Sequence, residues 1–174
     1  MNLKELIREI PDFPQPGISF KDISTVIGNP AAFHYIIKEL ANHYRAARPE
    51  VVVGVESRGY ILGAPVAYEL NAGFILVRKP GKLPAATERI DYTLEYGVNS
   101  LEIHKDAIRP GQKVLIVDDI LATGGTVSAT AELVRRLGGK IIGYAFLAEL
   151  DALKGRAKLG DAPVVSLVHY DDPE

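Results

Sequence analysis

Val114-Leu-Ile-Val-Asp-Asp-Ile-Leu-Ala-Thr-Gly-Gly-Thr126 joins an aliphatic run to two adjacent carboxylates and then to a small turn with two glycines. Val114 to Val117 predict a strand buried on both faces, as in a parallel sheet covered by helices. Asp118 and Asp119 then stand at its carboxyl end, where open α/β sheets bind their ligands. Ala122, Thr123, Gly124, Gly125 and Thr126 follow, and Val127 to Leu137 carry a helical pattern through Val127, Leu133, Val134 and Leu137. A Thr-Gly-Gly-Thr turn ahead of a helix leaves backbone N–H groups free and unobstructed, which suits a phosphate. Carboxylates do not bind phosphate, so Asp118 and Asp119 need hydroxyls or a divalent cation beside them. A ribose 5-phosphate meets both needs. The carboxylates could otherwise cap a turn or end a nucleotide-hydrolase strand. The second option needs a G-x-x-x-x-G-K-[ST] loop, which the sequence lacks, as it lacks a G-x-G-x-x-G loop.

Neighbouring residues on a strand point to opposite faces, so Asp118 and Asp119 converge only if the chain has begun to turn at Asp119. A second strand end, Glu56-Ser57-Arg58-Gly59, follows Val51 to Val55. Arg58 can reach the same rim as Asp118, and its planar, bidentate donors suit an oxyanion. Lys79 and Lys82 lie with Pro80, Gly81 and Pro84 in a stretch too long and polar for a simple connection, the kind of loop that serves as a lid. As surface lysines they could equally serve solubility alone. His34, His43, His104 and His169 show no metal-ligand spacing and read as surface or satisfied core residues.

The elements that must position these groups alternate as a doubly wound fold requires. Asn29 caps a helix with Pro30 at its first position and an apolar stripe of Phe33, Ile36, Ile37, Leu40 and Tyr44. Strands are expected at Val51–Val55, Phe74–Val77, Val114–Val117, Ile141–Leu147 and Val164–Val168, and a helix at Tyr60–Leu70. The run from Arg89 to Glu102 reads as a hairpin about Tyr96-Gly97. Met1 to Ile10 put Leu3, Leu6, Ile7 and Ile10 on one face, predicting an amphipathic helix and not a signal peptide. At 174 residues the chain is most simply one domain, with a substantial core. A net charge of −2 gives no reason to expect nucleic acid or an anionic membrane as partner. The absence of cysteine excludes disulfides and thiolate metal sites, which suits a cytoplasmic enzyme but also many other proteins. No apolar run approaches membrane-spanning length.

The Val114–Thr126 string resembles the phosphoribosyl pyrophosphate signature of the type I phosphoribosyltransferases. Other segments resemble the adenine-specific branch of that family: Asp12-Phe-Pro-Gln-Pro-Gly-Ile-Ser-Phe-Lys-Asp-Ile-Ser24, Arg78-Lys-Pro-Gly-Lys-Leu-Pro84, Tyr92-Thr-Leu-Glu-Tyr-Gly97 and Leu147-Ala-Glu-Leu-Asp-Ala-Leu-Lys-Gly-Arg156. The resemblance runs from about Asp12 to the last strand. It implies the type I α/β fold, a mostly parallel sheet flanked by helices, with a small hood over 1–28 and a mobile loop and hairpin over 78–100. It implies transfer of a phosphoribosyl group to adenine, with Mg²⁺ helping to neutralise the leaving group, no direct protein metal ligand, and a homodimer with residues 74–82 near its shared surface.

By the same resemblance Ala122 to Thr126 anchor the 5-phosphate, and Asp118 and Asp119 hold the ribose. Ser57, Arg58, Lys79 and Lys82 neutralise the pyrophosphate, and the Glu56-Ser57 peptide bond is cis. Glu95 manages a proton on the purine, with Tyr96 beside it in the lid. Adenine lies between Phe20 and Leu150, its edge read by the backbone around Ser19 and Lys21. Tyr60 stands where the family more often carries phenylalanine. Two other readings stay open on the residues alone: a phosphoribosyltransferase for another purine, against which the Asp12–Ser24 match argues, and a non-catalytic sensor of phosphoribosyl pyrophosphate. The second would be free to lose Arg58, Lys79, Lys82 and Glu95, all of which are present.

Overall fold

The structure, a computed structural model, describes residues 1–94 and 97–171. The chain opens with a short helix α1 (Leu3–Leu6), a strand β1 (Arg8–Ile10), a strand β2 (Phe20–Asp22) and a single turn of helix α2 (Ser24–Ile27). The long helix α3 (Pro30–Tyr44) leads into β3 (Val51–Val55), α4 (Arg58–Glu69) and β4 (Gly73–Arg78). Strands β5 (Thr87–Leu94) and β6 (Gly97–His104) form the predicted hairpin. Then come β7 (Lys113–Leu121), α5 (Gly125–Arg136), β8 (Lys140–Leu150), two 3₁₀ turns at Asp151–Leu153 and Gly155–Lys158, and β9 (Val164–Tyr170).

The main sheet has the order β5-β6-β4-β3-β7-β8-β9. From β4 to β9 the strands pair in parallel, while β6 and β5 extend one edge antiparallel. Strand β3 is buried along its whole length, as its Val-Val-Val-Gly-Val run predicts for a strand covered on both faces. Alternate residues serve two cores. Val52, Leu115 and Val117 pack with α3 and α4 on one side, and Val51, Val53 and Ile116 pack with α5 on the other. Asn29 caps α3 as expected, its side chain accepting from the Ala32 N–H at 3.1 Å, with Pro30 at the first position.

Three expectations need correction. The amphipathic helix over Met1–Ile10 ends at Leu6, and Arg8, Glu9 and Ile10 instead pair antiparallel with Asp22, Lys21 and Phe20. Pro11 disfavours helical backbone at Ile10, and the Arg8 guanidinium closes the small sheet on Asp22 at 2.5 Å. Leu3 and Ile7 are still buried. Second, β7 does not stop at Val117: it stays extended and paired with β8 through Leu121. Third, helices α4 and α5 begin at Arg58 and Gly125, each earlier than periodicity alone indicates.

Candidate active site

Strand β3 pairs with β7 only as far as Gly54 opposite Val117. Beyond that point β7 runs on without a neighbour on that side, and the gap is a cavity of about 410 Å³. Its walls are Glu56, Ser57 and Arg58 from the β3–α4 junction, Lys79 after β4, and the stretch from Asp118 to Val127. The two carboxylates reach it without a turn in the chain. Alternation breaks across them instead, since Val117 and Ile120, three residues apart, pack on the same core. Asp119 is buried and accepts from Arg58 Nε at 2.5 Å, and its own N–H donates to Asp118 Oδ1 at 2.9 Å. Burial pushes the Asp118 carboxyl well above the ordinary carboxylate range, and the charge of Asp119 adds to the push.

The phosphate-type turn is organised by Gly124, whose φ of +84° is a left-handed conformation that glycine adopts freely. Its carbonyl accepts from the Ser128 N–H at 2.9 Å, which starts α5, and the first N–H groups of a helix have no partner within it. Ala122 to Thr126 all line the cavity. Tyr92 of the hairpin lies with its hydroxyl 3.3 Å from the Thr126 hydroxyl, so the edge of the sheet touches the same loop. The Glu56-Ser57 peptide bond is cis, as the resemblance implies.

A smaller cavity of about 190 Å³ adjoins the first. Phe20 and Leu150, separated by most of the chain, face it together with Ile18, Ser19, Lys21, Ile120 and Ala122. Arg58 lines both cavities, its guanidinium carbon 5.7 Å from the centre of the Phe20 ring. Lys21 is buried: its Nζ donates to Glu9 Oε2 and to the Ser19 hydroxyl, each at 2.9 Å, and sits 4.5 Å from the centre of the Tyr170 ring. That side chain braces the small β1–β2 sheet.

The structure thus gathers Ser57, Arg58, Lys79, Asp118, Asp119 and Ala122–Thr126 around one cavity, and Ser19, Phe20, Lys21 and Leu150 around the other. Lys82 is exposed in the loop after β4 and does not line either. Glu95 and Tyr96 lie outside the described residues. Sequence reasoning missed Glu56, which accepts from the Lys79 N–H at 2.5 Å; that bond holds its carboxyl below the usual range. The rule that found Asp118, a polar group just past a buried strand, would have found it too. It also missed the partners of His169, whose Nδ1 lies 2.9 Å from Asp151 and 3.9 Å from Glu149. The oxygens of Glu149 are engaged by Arg156 and Ser166, which makes this an ion-pair network.

Known proteins match this geometry. The phosphoribosyl transferase domain family matches residues 24–169. An adenine phosphoribosyltransferase of Synechocystis sp. is 56% identical over 172 residues, covering 98% of this chain and 100% of the relative. The crystal structure of adenine phosphoribosyltransferase from Thermoanaerobacter pseudethanolicus aligns with a TM-score of 0.93 at 52% identity, over 96% of this chain and 97% of that one. That of the Saccharomyces cerevisiae protein, complexed with an imino-altritol bisphosphate and adenine, aligns with a TM-score of 0.90 at 43% identity, over 95% and 96%. The chain described here belongs to the adenine phosphoribosyltransferases, within the phosphoribosyl transferase domain family.

Proposed function

We infer that this protein transfers the 5-phosphoribosyl group of phosphoribosyl pyrophosphate to adenine, giving AMP and pyrophosphate. The observation that carries the reading is the pair of adjoining cavities that share Arg58: one walled by carboxylates and a helix-start loop, the other by Phe20 and Leu150. A sugar phosphate fits the first, a flat ring the second, and the anomeric carbon falls at their junction.

The bond from that carbon to the pyrophosphate oxygen breaks as the bond to the purine nitrogen forms, through a transition state of oxocarbenium character. In this reading the N–H groups of Ala122 to Thr126 hold the 5-phosphate, positioning the sugar by contacts remote from the reacting bond. Asp118 and Asp119 accept from the ribose hydroxyls and complement the positive charge that develops. Ser57, Arg58, Lys79 and Lys82 take the pyrophosphate, Arg58 exchanging its hold on Asp119 for one on the leaving group. Glu95 handles the purine proton and Tyr96 closes with it, in the loop and hairpin over 78–100 that act as the lid of a single 174-residue domain. Phe20 and Leu150 sandwich the base, and the backbone at Ser19 and Lys21 reads its edge.

The carboxylates of the first cavity already have partners: Asp119 has Arg58, Asp118 the Asp119 N–H, and Glu56 the Lys79 N–H. Such a donor set suits a Mg²⁺ that arrives with most of its ligands, phosphate oxygens and water, better than a cage of protein oxygens. Bound there with the substrate, the ion would offset the charge of the departing pyrophosphate. A homodimer pairing the surface near residues 74–82, where Leu76 is exposed, and a cytoplasmic setting complete the proposal. No helix among the described residues is long and apolar enough to cross a membrane.

Incubating the protein with phosphoribosyl pyrophosphate, Mg²⁺ and a panel of bases tests the activity. AMP from adenine is expected. Product from another purine alone, or none from any base, overturns it.

A further inference from the structure

The segment between β8 and β9 belongs to a motif whose charged residues have no place in the chemistry above. Its far half is fastened by Arg156. Nε and Nη2 donate to the two oxygens of Glu149 at 3.1 and 2.7 Å, and Nη1 donates to the Val164 carbonyl at 3.2 Å. The Glu149 side chain is only 5% exposed and also accepts from the Ser166 hydroxyl at 2.7 Å. Burial pushes its carboxyl up, yet Arg156 and Ser166 more than offset that, and it stays below the ordinary carboxylate range. The near half is tied by Asp151 to His169.

Between those two anchors the backbone of Gly155 presses on the phosphate-type loop. A Cβ at Gly155 would lie 2.3 Å from the Ala122 carbonyl oxygen and 3.1 Å from the Gly124 nitrogen, and one at Gly124 would lie 2.6 Å from the Gly155 carbonyl oxygen. Both surfaces are main chain, so neither can give way by a rotamer change. The loop and the Gly155 segment therefore fix each other's position. Neither Glu149 nor Arg156 lines either cavity.

We propose that Glu149 and Arg156 are positioning residues for the phosphoribosyl subsite: their fork-to-carboxylate pair seats Gly155 behind Ala122 and Gly124 and so sets the loop that receives the 5-phosphate. The proposal rests on reading that loop as the 5-phosphate site. A surface ion pair would be a weak device, but here the carboxylate is buried and obliges its partner to stay. A shift of about 1 Å in a positioning group can cost on the order of a hundredfold in rate, so a seat this tight has consequences at the cavity.

The test compares Arg156→Gln, Arg156→Lys, the double variant Glu149→Gln/Arg156→Gln and Gly155→Ala with the wild type. The readouts are KM for phosphoribosyl pyrophosphate, KM for adenine, calorimetric binding of phosphoribosyl pyrophosphate with Mg²⁺, and thermal melting. Arg156→Gln should raise the KM for phosphoribosyl pyrophosphate about tenfold while the KM for adenine stays within about twofold. Arg156→Lys should recover part of that loss, because it keeps the charge and loses the fork. The double variant buries no unpaired charge and so folds even if Arg156→Gln does not, and Gly155→Ala disturbs the seat with the ion pair intact. Both should show the same one-sided rise. If these two melt lower but keep the wild-type KM for phosphoribosyl pyrophosphate, or if both KM values rise together, the pair is only structural and the proposal is overturned. A wild type that binds no phosphoribosyl pyrophosphate overturns the functional reading, and the positioning role with it.

Discussion

The two cavities are built in opposite ways. The larger cavity comes mostly from one continuous stretch, Asp118 to Val127, completed by short pieces at the ends of β3 and β4. The smaller cavity is assembled from residues 18–21, 58, 120, 122 and 150, with a single charged side chain, Arg58, facing both. A local site announces itself through residue types and spacing, because glycine, carboxylate and helix start must follow one another in the chain. A cavity assembled across the fold leaves almost no mark in residue types. What it has instead is rigidity, here from the hood sheet and the buried Lys21.

Base choice is the largest effect expected from that contrast. Adenine presents an amino donor and a bare ring nitrogen where guanine and hypoxanthine present a carbonyl and an N–H, so a fixed backbone would meet its own kind in the wrong base. The ratio of kcat/KM for adenine over guanine should reach roughly four orders of magnitude. Comparable use of both bases would break the idea that the hood backbone reads the edge.

On the other side, replacing both Asp118 and Asp119 with asparagine should lower kcat by about a thousandfold with the fold retained, as judged by circular dichroism. The change removes charge aimed at the transition state and frees Arg58, but little packing. Near-normal turnover would show that the strand end is not the ribose site.

A third, smaller effect should separate the cavities from each other. Phe20→Ala should raise the KM for adenine about tenfold, from the loss of one face of the ring slot, with the KM for phosphoribosyl pyrophosphate within about twofold. Equal rises in both would mean that the cavities are one site energetically.

The smallest effect concerns acid. Ser24 and the Arg8 guanidinium hold the Asp22 carboxyl at about 2, below its usual 3.8. A depressed carboxylate stabilises the fold above its unfolded value and loses that contribution as pH falls through the folded one, so the hood should loosen between 3.8 and about 2. Asp118 has the opposite sign: its charge is penalised by burial, so protonation removes a cost to the fold but also removes the charge that the proposed mechanism uses. Activity should therefore fail at a higher pH than the hood does. Profiles of kcat/KM and of urea midpoint against pH check the order, and Asp22→Asn should flatten the stability slope without moving the acid limb of activity.

Much of the fold is legible in the sequence. The Asn29-Pro30 cap, the buried Val51–Val55 strand and the Arg89–Glu102 hairpin follow from local rules, and the structure bears them out. Met1–Ile10 misled because the competing claim on Arg8 to Ile10 comes from Phe20 to Asp22, a pairing that no helical periodicity reveals. The extra length of β7 likewise depends on its neighbour: β8 runs on to Leu150 and carries β7 with it. Phe20 and Leu150 could be named only through the family resemblance, since each alone is an ordinary apolar residue. Glu56 stands at a strand end, where the same rule that marks Asp118 applies to it.

Arg58 stands where the two cavities meet, bonded to Asp119 on one side and lying over the ring of Phe20 on the other. Any ligand that draws its guanidinium toward one cavity changes what the other cavity offers. Linkage makes that influence mutual and equal: if phosphoribosyl pyrophosphate tightens or weakens adenine by some factor, adenine does the same to phosphoribosyl pyrophosphate. Redesign of the base slot for a different ring is subject to the same bond. In the proposed arrangement a substituent that displaces Arg58 should alter the affinity for the sugar donor as well, so that selectivity and donor affinity move together.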